Sequence, residues 1–124
     1  MSAVLSFLAP PPGFAPHTDF ALTPVEGAEG LFAMQALDRP ELRVFLVDPG
    51  TVVTGYAPVI GDEQAADLDL ASADDALLLV VAHPGPDGVS VNLMAPVVVN
   101  RATGRAAQVI LEEQGYALRT PLAS

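Results

Sequence analysis

Cysteine, lysine and tryptophan are all absent from this 124-residue chain. Without cysteine there is neither a disulfide framework nor a thiolate metal site. Without lysine the five basic residues are all arginine, and they face fifteen acids for a net charge of −10. Affinity for a phosphate backbone comes from Lys and Arg neutralising it, so direct nucleic-acid binding is not expected. Long apolar runs are missing too: none approaches the roughly 18–20 residues of a membrane-spanning helix, and no membrane partner is expected. The first apolar residues have no Lys or Arg ahead of them, and Pro10, Pro11, Pro12 and Pro16 break the chain beyond Ala9. A secretory signal needs a basic start and an unbroken apolar core, so a cytoplasmic location is expected.

The length suits one domain, residues 1–124. Hydrophobic residues make up 51% of the chain, but 20 of them are Ala, so Leu, Val, Ile, Phe and a few Met must build the core. Phe45-Leu46-Val47, Leu77 to Val81 and Val97 to Val99 put large apolar groups on both faces of a strand. One face lines the core; the other needs a cover or a partner.

Val91 to Leu111 reads as strand, break, strand, turn, strand. Pro96 can open a strand but cannot sit mid-ladder, and Val97, Val98 and Val99 favour extended backbone. A hairpin is expected at Arg101 to Arg105, with Gln108 to Leu111 as the return. Earlier, strands are expected at Val4–Leu8, Phe20–Val25, Leu31–Leu37, Leu42–Val47, Leu77–Ala82 and Val89–Leu93. Pro24 marks Phe20–Val25 as an edge strand. Pro10 to Pro16 reads as a stiff, extended, polyproline-like stretch, without the P-x-x-P spacing of an SH3 ligand. Thr51 to Val59 reads as extended but irregular, and Gly85-Pro86-Asp87-Gly88 fits a type I turn. Asp62 to Leu70 is the one helical candidate, with Asp62 as its cap, and Ser72 to Ala76 adds a further turn. Strands at this spacing, joined by turns, indicate an all-β fold: a small antiparallel barrel-like domain with one short helix.

Little in the sequence carries chemistry. His17 and His83 are the only imidazoles, each near proline, and a metal or catalytic site needs convergent ligands. Ser90 lacks the second Gly of a nucleophile elbow. Asp62, Glu63, Asp67, Asp69, Asp74 and Asp75 form an acidic run without a basic residue. Counted from Asp67, the Gly and acid that a calcium loop needs are replaced by Ser72 and Leu78. The run is then either a solvated face or an acidic docking surface. The net charge itself fits two readings, plain solubility or the steering of a basic partner. Gln35, Asn92 and Asn100 lie inside or at the end of apolar strands, where they are expected to satisfy backbone groups.

Phe7, Pro12-Gly13-Phe14 and Phe20-Ala21-Leu22 form an F…PGF…F-x-L pattern near the start. Next along the chain are Met34-Gln35-Ala36 and Val44-Phe45-Leu46-Val47-Asp48-Pro49. Then come Val91-Asn92-Leu93, Ala95-Pro96-Val97-Val98-Val99-Asn100, Gln108-Val109-Ile110-Leu111, Tyr116-Ala117-Leu118-Arg119 and Pro121-Leu122. This ordered set, over nearly the whole chain, resembles the flagellar assembly factor FliW family. The resemblance implies a barrel-like all-β fold without enzymatic activity. It also implies two protein partners: newly made cytoplasmic flagellin, and the basic translational regulator CsrA, which flagellin frees to repress flagellin synthesis. No cofactor is implied, and a monomer is expected. Typical members begin with a further strand ahead of the residue matching Phe7, so the first strand here is expected to be short or the barrel open there. A small barrel could instead hold a flavin or another small ligand, but five scattered Arg and no Lys argue against phosphate-binding groups.

Overall fold

The computed structural model describes residues 3–11, 13–51, 53, 55–86, 88–111 and 114–121. Nine strands form there: β1 (Ala3–Phe7), β2 (Asp19–Pro24), β3 (Leu31–Ala36), β4 (Arg43–Val47), β5 (Ala76–Gly85), β6 (Gly88–Val91), β7 (Val97–Asn100), β8 (Arg105–Gln108) and β9 (Thr120–Pro121). A short helix, α1 (Asp62–Asp67), and 3-10 turns at Pro49–Thr51 and Ala73–Asp75 complete the elements.

Strands β4, β3, β2, β1, β8, β7 and β5 follow one another by hydrogen bonding, and β4 also pairs with β5, closing a seven-strand ring. The ten-residue β5 makes this possible. Its first part, Ala76 to Leu79, pairs with β7; Val80 to Ala82 pair with β4; Ala82 to Gly85 pair with β6. Because Ala82 faces β4 on one edge and β6 on the other, β6 and β7 lie end to end along a single edge of β5. Between them the chain leaves the ladder. The Asn92 side-chain oxygen accepts bonds of 3.0 Å from the Met94 and Ala95 amides, and Pro96, which has no N–H to place, begins the return.

Alternation along the strands sorts the apolar residues into two layers. Leu5, Phe20, Met34, Leu46, Leu79 and Val97, each on a different strand, meet in the barrel interior. Phe7 and Phe14 pack edge-on against Phe20, each with centroids 5.4 Å away, a geometry that suits the aromatic quadrupole. Val47, Val80, Ala82 and Val91 face outward, as does Val98. This second face is covered largely by the chain itself. Val53, Tyr56, Ile60, Leu68, Leu70 and Tyr116 pack over it from the segment before β5 and the segment before β9.

The two covering segments are tied together. Gln114 and the Val59 backbone exchange bonds of 2.9 and 3.0 Å. Tyr56 donates its hydroxyl to the Leu93 carbonyl at 2.6 Å and stands edge-on to Tyr116, centroids 4.7 Å apart.

Several expectations change. The pairing is not wholly antiparallel, because β1 runs parallel to β8. β2 is no edge: β1 and β3 flank it, and Pro24 is tolerated at its last position, opposite Phe32. Residues 10 to 16 are not extended throughout, since Phe14 and His17 donate to the Pro11 and Phe14 carbonyls in successive turns. Pro12 lies outside the described residues. The return of the last hairpin is β8, which ends at Gln108; Val109 and Leu111 are buried beyond it as loop residues. The barrel does not open at β1, because β1 pairs on both sides. The 85–88 hairpin forms with Gly85 opposite Gly88, while Asp87, which would decide the turn type, lies outside the described residues.

Two expected outcomes test this architecture. Gly104, at φ +81°, donates to the Asn100 carbonyl and accepts from the Ser6 amide, both at 2.9 Å, where β8 meets β1. A Cβ there would come within 2.5 Å of the Val4 carbonyl oxygen. Gly104→Ala should therefore lower the urea-unfolding free energy by about 1–3 kcal/mol. Second, burial, with a smaller contribution from neighbouring Tyr116, pushes the Tyr56 phenol above its ordinary value. The fold holds that proton more tightly than the unfolded chain does. The resulting stabilisation is complete below about pH 10 and is lost as pH climbs beyond it. In an ultraviolet absorbance titration the parent should show a late-ionising phenol that Tyr56→Phe lacks.

Candidate functional site

The acidic run occupies residues 62 to 75. Helix α1 buries none of its own residues, and Gly61, not Asp62, takes its N-cap position, with no side-chain cap bond. Asp62 and Glu63 lie in the first turn, where acids are favoured by the helix dipole. Six residues are too few to hold a helix in water unaided, so tertiary contacts must do so. They come just after it. Leu68 is fully buried, and Asp69 adopts φ +57°, turning the chain back toward β5.

Asn100 holds that turn. It is the one buried polar or charged side chain among the described residues. Its amide nitrogen donates to the Leu68 carbonyl at 2.8 Å and the Asp69 carbonyl at 3.2 Å. Its oxygen accepts from the Ala102 and Thr103 amides at 2.8 and 3.2 Å. One side chain thus joins the end of the helical segment to the β7–β8 turn. Gln35 and Asn92 also bond to backbone, as expected, but each only locally, Gln35 reaching the Pro40 carbonyl.

The structure divides the six acids. Asp69 pairs with Arg105 at 2.9 Å, so the run has a basic neighbour that lies far along the sequence. Asp75 accepts from the Ala71 and Ser72 amides at 3.0 Å each and shapes the turn. Asp62, Glu63, Asp67 and Asp74 are exposed and have no side-chain partner among the described residues. Those four give the segment its free negative charge. Beside Asp62 is a depression of about 480 Å3, walled by Asp62, Ala65 and Ser72 and floored by Ile60, Leu70, Leu78 and Val98.

A second concavity lies toward the other end of the strands. Met34, Val44, Val81 and Val97 face inward at the barrel end remote from Ala76 and Asn100, and Phe14, Met94, Ile110 and Leu118 extend their apolar surface into an opening of about 450 Å3. Ile110 is 62% and Leu118 59% exposed, so the rim is apolar as well. No Arg lines it. His83 borders this opening from β5, whereas His17 pairs with Asp38 at 3.3 Å. Among the described residues no group of three His, Cys, Asp or Glu is placed to hold a metal ion, and no helix is long and apolar enough to cross a membrane. Sequence reasoning missed this opening because its residues come from seven separate stretches with no shared periodicity. It also missed Asn100 as a tether, although a lone amide closing a Val-Val-Val run is a usable signal.

Comparison with known proteins points one way. The family model described as FliW protein matches residues 1–122. The flagellar assembly factor FliW of Syntrophotalea carbinolica is 38% identical over 111 residues, covering 89% of this chain and 79% of that protein. Flagellar assembly factor FliW 2 of Desulfotalea psychrophila is 32% identical over 109 residues, covering 86% of this chain and 72% of that protein. A crystal structure of the flagellar assembly factor FliW superposes with a TM-score of 0.88 at 25% identity, covering 95% of this chain and 84% of that one.

Removing the Asn100 side chain should strand buried carbonyl and amide groups in two segments at once. Asn100→Ala is expected to cost about 1–3 kcal/mol of stability. Hydrogen exchange should then speed up at residues 65 to 70 more than in β2 or β3. A uniform change across the barrel would contradict the tethering role.

Proposed function

The chain belongs to the FliW family of flagellar assembly factors, and from that premise we propose that it is a non-enzymatic, cytoplasmic protein that binds flagellin and CsrA. In this reading it couples flagellin synthesis to flagellin export. Accumulated flagellin occupies it and frees CsrA to repress flagellin translation; exported flagellin leaves it available to hold CsrA.

The separation of two chemically different surfaces is the observation that carries the reading. An amphipathic segment of flagellin needs an apolar surface for its stripe, and the opening lined by Phe14, Met94, Ile110 and Leu118 supplies one. Much of the outward apolar strand surface is already covered by the chain itself, which leaves this rim as the better candidate. A basic RNA-binding protein is drawn to negative charge, and the acidic face from residue 62 to 75 supplies that. Within it the free acids Asp62, Glu63, Asp67 and Asp74 suit the role better than Asp69 and Asp75, which serve the fold.

Charge steering acts mainly on association, so raising salt should slow CsrA association more than it speeds dissociation. Exposed pairs contribute roughly 0.2–1 kcal/mol each, so replacing Asp62, Glu63 and Asp67 by Lys should weaken CsrA binding about tenfold or more, repulsion included. Flagellin binding should change much less. Calorimetry and sizing-column co-elution with each purified partner provide the test. No association with either partner would overturn the proposal, and equal losses for both would point to one shared surface.

A further inference from the structure

The depression beside α1 combines two chemistries that a purely electrostatic docking face would not need. Ile60, Leu70 and Leu78 are half-buried on its floor, and Asp62 stands at its edge on the same helix as Glu63 and Asp67. Its volume of about 480 Å3 is in the range of cavities that take a compact apolar group, about 300–1,000 Å3. Each part excludes a class of occupant. A second copy of this chain and any polyanion are repelled by the net charge of −10, with Asp62 at the edge of the groove. A simple cation gains nothing from the apolar floor. From this complementarity we propose that the groove docks a cationic amphipathic segment of a protein partner, with large aliphatic side chains on Leu70 and Leu78 and a flanking Lys or Arg near Asp62.

The wall is suited to this. Helix α1 buries none of its residues, and the segment is fixed to the barrel just beyond its C-terminal end through Leu68 and Asn100. Ala65, the one half-exposed residue of α1, faces the groove and leaves space a larger side chain would fill. The inference rests on reading the acidic face as the surface for a basic partner, and it adds that apolar burial, not charge alone, holds that partner.

The test uses the full chain and a fluorescently labelled peptide of Leu, Lys and Ala with Leu at helical spacing. Saturable binding is expected from fluorescence anisotropy. Replacing the peptide's Leu by Ala, or filling the groove with Ala65→Phe at unchanged charge, should each weaken it about tenfold or more. Circular dichroism and the thermal midpoint check that Ala65→Phe folds; if it does not, Ile60→Ser replaces it, and the Leu-free peptide needs no variant. Equal affinity for the Leu-free peptide, or for the filled groove, would overturn the proposal. CsrA separates the two readings. If the peptide binds without regard to its Leu or to Ala65→Phe while CsrA still binds the parent, the groove proposal fails and the CsrA reading stands. If the peptide behaves as expected but CsrA does not displace it, the groove stands and CsrA is not its occupant.

Discussion

Ring closure runs through β5, and every surface of the molecule is arranged by it. An open sheet of this length would leave two rows of unpaired backbone groups; a closed one leaves none along the ring. β5 achieves closure by serving β7, β4 and β6 along successive parts of one strand. The price is that β6 and β7 must share an edge, and the residues between them bulge away. That bulge carries Met94 to the rim of the apolar opening and Leu93 to the hydroxyl of Tyr56, so a sheet-level necessity shapes both a concavity and a contact with the covering loop.

The same closure separates the two kinds of surface chemistry. Because β5 and β7 pair with Ala76 opposite Asn100, one end of that pair receives the acidic segment and the other opens into the barrel interior. Asn100 sits where this division is made. A buried amide with its donor and acceptor atoms all bonded is costly to misplace, which fixes the acidic segment in position although its helix contributes no buried residue. Two surfaces of unlike chemistry are thus carried by a domain with a single interior core.

Strand positions were legible in the sequence wherever β-branched runs met turn residues. Val97 to Val99 before Arg101-Ala102-Thr103-Gly104 is one such place, and the run ending at Asp48-Pro49 is another. Neighbours joined by a hairpin, as at Arg101 to Arg105, were legible as well; neighbours distant in sequence were not. Pro24 suggested an edge because it cannot donate to a ladder, yet at the last position of β2 it has nothing to donate to. The parallel contact of β1 with β8 leaves no local trace at all. The acids show the same boundary: their number and spacing were plain, but Arg105, which neutralises Asp69, is 36 residues away. Asp62 looked like a cap because an Asp ahead of Ala and Leu often is one, whereas Gly61 took the extended cap conformation without supplying a side-chain bond.

The pairing of β1 with β8 also bears on how the molecule is made. Synthesis proceeds from the N-terminus, so β1 to β4 can pair in turn as a meander soon after they emerge. Both outer strands of that meander then wait: β4 for β5, and β1 for β8, with the whole length from Ser6 to Arg105 between its partners. Until the last of these arrives, Leu5, Phe7, Phe20 and Leu22 form an uncovered apolar sheet face flanked by two adhesive edges. A ribosome-bound or truncated chain is therefore a sticky half-barrel, and the interval before β8 emerges is when this protein is most exposed to aggregation.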